Sequence, residues 1–107
     1  MPDRFCFRDT RSSTYVPLGD IVRFEADGGY TNVHLNSNEV KVICSSLCEQ
    51  YEKVKDSGLF FRIHKAHLVN TRYIFRIFFN GTLVLLNGTI LPVSRRELKE
   101  LLEAMER

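Results

Sequence analysis

Arg95 and Arg96 stand side by side directly after Ser94, in a stretch, Val93-Ser94-Arg95-Arg96-Glu97-Leu98, that has the form of a helix start. Ser94 and Glu97 have the spacing of a capping box, and Val93 and Leu98 that of a hydrophobic staple. Arg95 and Arg96 then occupy the first two helical positions, where free N–H groups and the positive end of the macrodipole favour acids. Two cations there cost stability, and they make sense if an outside anion docks at the helix start, where N–H groups, dipole and guanidinium groups converge on a phosphate or a base edge. The plain alternative is that both side chains extend into water. A second basic group, Arg62, His64 and Lys65, sits between apolar residues Phe61, Ile63, Leu68 and Val69 that can anchor strands, so a basic loop is held on a sheet.

The charge pattern joins these two groups. Residues 1–57 carry seven Lys/Arg against nine Asp/Glu, a balance of −2, whereas residues 58–107 carry eight against four, a balance of +4. Residues 57–96 contain no acid and six cations, Arg62, Lys65, Arg72, Arg76, Arg95 and Arg96. An acid-free, arginine-weighted stretch suits a phosphate-binding face, because each guanidinium grips phosphate oxygens in a forked geometry and displaces condensed counterions. A solvated face with its partners on the first half of the chain is the competing explanation.

Other chemistry finds less support. His64 and His67 are near each other in sequence, but no carboxylate or thiolate lies beside them to complete a metal site. Cys44 and Cys48 are spaced C-x-x-x-C without a second cysteine pair, and Cys6 makes the number odd, so neither a full disulfide set nor a zinc site follows. The three are expected to be reduced, mostly packed thiols, with Cys48 on the apolar side of its helix. A nucleophile pair could be drawn from Cys44 or Cys48 and His34 or His64, yet no family signature surrounds either cysteine. No phosphate-binding, dinucleotide-binding or nucleophile-elbow glycine motif is present. The expectation is no enzyme, no metal and no cofactor.

The elements that must position these residues are short and β-rich. The chain has 107 residues, 44% hydrophobic and 26% charged, which predicts one folded domain rather than disorder. Eight Phe and four Tyr without Trp suit a pleated core. Turn residues divide Ile21–Ala26, Tyr30–Leu35, Val40–Cys44, Ile74–Phe79, Thr82–Leu86 and Thr89–Leu91 into successive strands. Asn80-Gly81 and Asn87-Gly88 have the composition of two-residue hairpin turns with positive φ angles. Leu47, Tyr51 and Val54 recur at helical spacing behind a Ser46-x-x-Glu49 box, predicting a short helix near 46–56 that ends at Gly58. Leu98, Leu101, Leu102 and Met105 form the stripe of a C-terminal helix. Residues 1–12 read as a leading strand or a tail. The apolar runs are far shorter than the ~20 residues that cross a bilayer, and the start lacks the pattern of a secretory signal. A cytoplasmic location without membrane attachment is expected.

Four stretches carry a family resemblance: Asp20-Ile21-Val22-Arg23-Phe24-Glu25-Ala26 followed by Gly29-Tyr30-Thr31; Ser46-Leu47; Phe60-Phe61-Arg62-Ile63-His64-Lys65-Ala66-His67-Leu68-Val69-Asn70; and Gly88-Thr89-Ile90-Leu91-Pro92-Val93-Ser94-Arg95-Arg96. In order and spacing, from about residue 16 to 103, the sequence resembles the LytTR family, the DNA-binding output domain of many bacterial response regulators. The resemblance implies a mainly β fold, an elongated sandwich of small antiparallel sheets whose loops, rather than a recognition helix, enter the DNA grooves. It implies base reading by Tyr30, Lys65 and Arg95. Arg62, His64 and Arg96 match phosphate-positioning places, with Asn32 and Lys99 beside them. Double-stranded DNA is the implied partner, with a second copy on a repeated site and an N-terminal receiver domain that this chain does not include. A start at Met1 fits both an excised fragment and a stand-alone regulator. Sequence-specific control of transcription is the function this implies. The competing class is a β-rich protein-interaction module whose cationic face meets an acidic partner. Single-stranded or RNA binding would need exposed aromatic rings for stacking, for which Tyr30 is the obvious candidate.

Overall fold

A computed structural model describes residues 3–106. The chain runs through β1 (Arg4–Arg8), β2 (Ser13–Pro17), β3 (Ile21–Asp27), β4 (Tyr30–Leu35), β5 (Val40–Ile43), α1 (Leu47–Val54), β6 (Phe60–His64), β7 (His67–Asn70), β8 (Ile74–Phe78), β9 (Thr82–Leu85), β10 (Ile90–Pro92) and α2 (Arg95–Met105). The strands form a hairpin of β1 and β2, a central sheet in the order β5-β4-β3-β7-β6, and a small sheet in the order β10-β9-β8. All pairings are antiparallel. The described residues measure 45 × 28 × 24 Å along their principal axes, so the expected mainly β, elongated small-sheet sandwich is what forms.

Both faces of the central sheet are used, which explains why its strands alternate imperfectly. On one face Ile21, Phe24, Val33 and Leu68 pack with Phe5 from β1 and Leu47 and Val54 from α1. On the other, Val22, Ile63 and Val69 meet Leu83, Leu85 and Leu91 of the small sheet and Leu101 of α2. A bulge between Ile21 and Arg23 lets Ile21 and Phe24, three residues apart, share one core while Val22 serves the other, because the extra residue resets the two-residue period. Beyond the bulge the second face turns polar, carrying Arg23 and Glu25. Buried Asn70 ties the centre together: its Nδ2 donates to the Ile21 carbonyl at 3.0 Å and its Oδ1 accepts from the Arg72 amide at 3.0 Å.

The beginning of the chain resolves into a leading strand rather than a tail, since β1 pairs with β2 from Arg4↔Pro17 to Arg8↔Ser13. Residues 1–2 lie outside the described residues. The Asn-Gly turns differ from expectation. Only the glycines take positive φ, Gly81 at 96° and Gly88 at 90°, and each donates its amide three residues back, to Phe78 and Leu85. Asn80 and Asn87 are therefore in ordinary turn conformation and the glycine forms the bulge that closes a longer loop, a geometry that matches the strand twist as well as a two-residue turn does. Asn38, at φ 72°, fills the same place in the β4–β5 connection, with its amide on the Leu35 carbonyl.

The helix ends divide. At α1 the Ser46 Oγ accepts from the Glu49 amide at 3.2 Å, and the chain leaves through a 3-10 turn to Gly58 at φ 76°, as the sequence predicts. At α2 the Ser94 side chain makes no cap hydrogen bond, so the second capping box does not form. That start is held by backbone instead: the Ser94 amide donates to the Ile63 carbonyl at 2.8 Å, and the Ser94 carbonyl accepts from Glu97 and Leu98. Val93 and Leu98 do pack on the same core, as a staple requires. The cysteine expectation is also corrected, since Cys6, Cys44 and Cys48 are all exposed. In α1 the buried stripe is Leu47, Gln50 and Val54, so the helix rolls toward Gln50 and Cys48 turns outward.

Candidate nucleic-acid interface

Residues from two distant parts of the sequence meet at a groove of about 680 Å³, walled by α1, β6, the β6–β7 connection and the start of α2. Its lining includes Arg62, His64, Lys65 and Arg96, together with Tyr51, Phe60, Phe61, Ser94, Glu97 and Glu100. Four of the eight expected site residues are therefore brought together. They converge because the Ser94 amide is bonded to the Ile63 carbonyl, which sets the first turn of α2 beside the strand bearing Arg62 and His64.

Lys65 stands at the tip of a tightly held turn. His64 and His67 face each other across the ladder with only Lys65 and Ala66 between them. Arg62 Nη2 donates to the Lys65 carbonyl at 2.7 Å, and the Ala66 amide donates to His64 Nδ1 at 3.1 Å. The Ala66 carbonyl in turn accepts from the Ala26 amide at 2.9 Å. With Nδ1 accepting, neutral His64 carries its proton on Nε2, free to donate outward. Arg62 also reaches Cys48 Sγ at 3.3 Å through Nη1. Its guanidinium thus fixes the loop that presents Lys65, and its donors are partly taken up by partners within the chain.

The other four do not line this groove. Arg95 is exposed on the first residue of α2, and Lys99 is exposed further along that helix. Tyr30 is 52% exposed at the start of β4, directly across from Asp27. Asn32 is occupied: its Nδ2 faces Glu25 Oε1 at 3.5 Å and Asp27 Oδ2 at 3.4 Å, which leaves it poorly placed for a phosphate. Arg72 and Arg76 belong to the surroundings of the small sheet, and neither lines the groove.

Sequence reasoning missed the polar cluster on the central sheet. Arg23 Nη1 lies 3.2 Å from Glu25 Oε2, and His34 Nε2 lies 3.2 Å from Glu25 Oε1. Burial works to raise the Glu25 pKa, but the hydrogen bonds from His34 and Arg23 outweigh it and hold the carboxyl below its ordinary value. Burial lowers the His34 pKa, with the Arg23 charge adding to the effect against the pull of Glu25. His67 is lowered by burial and by the neighbouring His64 and Arg23. His34 therefore meets Glu25 at neutral pH as a neutral imidazole donating from Nε2. The alternating polar residues of β3 and β4 were the available signal. Sequence reasoning also left out Tyr51, read only as a core residue, and the acids Glu97 and Glu100 on the groove wall.

Among the described residues, no group of three or more His, Cys, Asp or Glu side chains is placed to hold a metal ion, and no helix is long and apolar enough to cross a membrane. Comparison with known proteins bears on the chain as a whole. The family model of the LytTr DNA-binding domain matches residues 11–106. The sensory transduction protein LytT of Bacillus subtilis (strain 168) is 36% identical over 94 residues, covering 84% of this chain. The chain covers 38% of LytT's length. Among solved structures, the LytTr DNA-binding domain of a protein described as a methyl-accepting/DNA response regulator from Bacillus cereus superposes with a TM-score of 0.79. It is 20% identical, and each chain is covered in full. A match over nearly the whole length, together with that shared fold, means that the chain belongs to the LytTr DNA-binding domain family.

Proposed function

We infer that this chain is a single DNA-binding unit that recognises a particular duplex sequence and thereby controls transcription as the output part of a signalling regulator, without chemistry of its own. The observation that carries this reading is the convergence of Lys65, Arg62, His64 and Arg96 on one groove beside exposed Arg95. The family supports DNA as the ligand, and the LytT relative supports a signalling context. In this reading Lys65, Arg95 and Tyr30 touch base edges from three rigid points, because selectivity needs donors whose positions are fixed before binding. Arg96 and the His64 Nε2–H donate to phosphate oxygens. Arg62 acts mainly by fixing the Lys65 loop, and Lys99 lends longer-range attraction. Asn32 serves the Glu25 cluster rather than a phosphate. Glu97 and Glu100 repel phosphate, yet a carboxylate accepts from the amino group of cytosine, so acids in a groove of cations fit reading better than plain backbone binding.

A further domain in the same polypeptide, a receiver, is in keeping with a relative of which this chain covers 38%, and a second copy on a repeated site belongs to the same proposal. Selection of bound sites from a random duplex pool tests the reading. A recovered motif of defined sequence is expected, and a repeat within it would establish the paired mode. Recovery of unenriched sequence would leave only non-specific electrostatic binding and overturn it.

A further inference from the structure

The outer face of the small sheet carries a second surface of different chemistry. Phe75, Phe78, Phe79, Leu86 and Ile90 are exposed there or at its turns, Phe79 by 82% and Ile90 by 68%. The register aligns Arg76, Val84 and Ile90 in one row across the three strands, and Phe78, Thr82 and Pro92 in the next. The opposite face of the same strands is spent on the core through Leu83, Leu85 and Leu91. A bulge between Ile74 and Arg76 puts Phe75 out beside its neighbour. The Arg76 guanidinium carbon then lies 5.7 Å from the centres of both the Phe75 and Phe78 rings. None of these residues lines the groove.

Contiguous exposed apolar surface of this kind marks an interaction site, and arginine among aromatic rings is the composition of interface cores. Two flanking rings hold the guanidinium in place and strip part of its water, which strengthens any carboxylate it meets. Residues 57–96 contain no acid, and among the described residues Arg76 has no ion pair. The missing complement is therefore an acid set in apolar surface. A second copy using the same face would bring another Arg76 and no acid, since residues 57–96 contain none. Three strands span about 10 Å, the width of one α-helix.

We propose that the outer face of β8–β10, centred on Phe75, Arg76, Phe78 and Ile90, docks an acidic amphipathic helix of a protein partner. The site is separate from the DNA groove and independent of the DNA reading. The probe is a synthetic helical peptide with leucines along one stripe flanked by glutamates, measured by anisotropy against the full chain. Its controls are the same peptide with lysine for glutamate and one with its residues scrambled.

Binding of the glutamate peptide alone is expected, weakened about tenfold or more by Arg76→Glu and by Phe78→Ser. Arg96→Ala should leave it unchanged. Both altered side chains are exposed, and circular dichroism with a thermal melt verifies folding. Equal binding by the lysine or scrambled peptide, insensitivity to Arg76→Glu, or no binding would overturn the proposal. So would a Phe78-dependent dimer in sedimentation, which would assign the face to a second copy. Phe78-dependent binding of a labelled single-stranded oligonucleotide would equally overturn it, assigning the rings to base stacking.

Discussion

Arg95 and Arg96 are adjacent, yet they point to different jobs. Arg96 lines the groove with Lys65, whereas Arg95 projects from the first residue of α2 outside it. An arginine fixed at a helix start can give two hydrogen bonds to the O6 and N7 edge of guanine, a pair worth about 1–3 kcal/mol of discrimination. Arg95→Ala should flatten the preference at one base position, and Arg95→Lys should regain attraction without full selectivity, because an ammonium lacks the planar fork. Arg96→Ala should weaken all duplexes about equally. Competition binding with every base at each site position checks both, and an unchanged preference in Arg95→Ala would make Arg95 another phosphate contact. The basic cluster of Arg62, His64 and Lys65 was legible from residue types and flanking strand formers. The commitment of Arg62 to partners within the chain was not, because it depends on Cys48, 14 residues earlier in the chain, turning outward rather than into the core.

At the scale of elements, the two serine caps separate what sequence spacing can and cannot decide. Ser46 and Ser94 both head S-x-x-E boxes, but only Ser46 accepts the amide of its third residue through its side chain. Ser46→Ala should cost about 1 kcal/mol of stability. Ser94→Ala should cost less than about half of that, since its helix start hangs on backbone bonds. Denaturant unfolding of both variants measures the difference, and equal losses would show that Ser94 caps in solution. The helices and most strands were legible because their periods and stops are local. The roll of α1 toward Gln50, the bulges and the β1–β2 hairpin were not, because tertiary packing sets them. The central sheet predicts a pH dependence. His34 and His67 are held below their ordinary value of 6.5, so below that pH the unfolded chain takes up protons that the folded one resists. Glu25, held below 4.5, acts in the same direction at lower pH. Stability is thus fully present near neutrality, falls as pH drops through 6.5, and falls further below 4.5. Thermal melts from pH 7.5 to 4 should hold near neutrality, decline below 6.5 and decline again below 4.5, with the first decline flattened in His34→Asn/His67→Asn; a rise on acidification would contradict the cluster.

At the scale of the molecule, an elongated frame holds a cationic groove along α1, β6 and α2, and an arginine-aromatic face on the small sheet. The acid-free stretch of residues 57–96 announced a cationic surface, but a linear charge pattern carries no information about facing. The fold sends Lys65 and Arg96 to the groove while Arg76 goes to the rings of Phe75 and Phe78. That division reduces the number of phosphates the chain can neutralise. Arg96 neutralises a phosphate directly, Lys65 and Arg95 displace counterions from the phosphates flanking the bases they read, and Arg62 adds at most a fourth because it is partly committed to Cys48 and the Lys65 carbonyl. The most direct measurement is duplex affinity as a function of salt. For three or four phosphates, log affinity should fall against log salt with a slope of about −2.7 to −3.6. The slope should become shallower by about one unit in Arg96→Ala and stay unchanged in Arg76→Ala. A slope near zero, or one that Arg76→Ala reduces and Arg96→Ala does not, would contradict DNA binding through this groove.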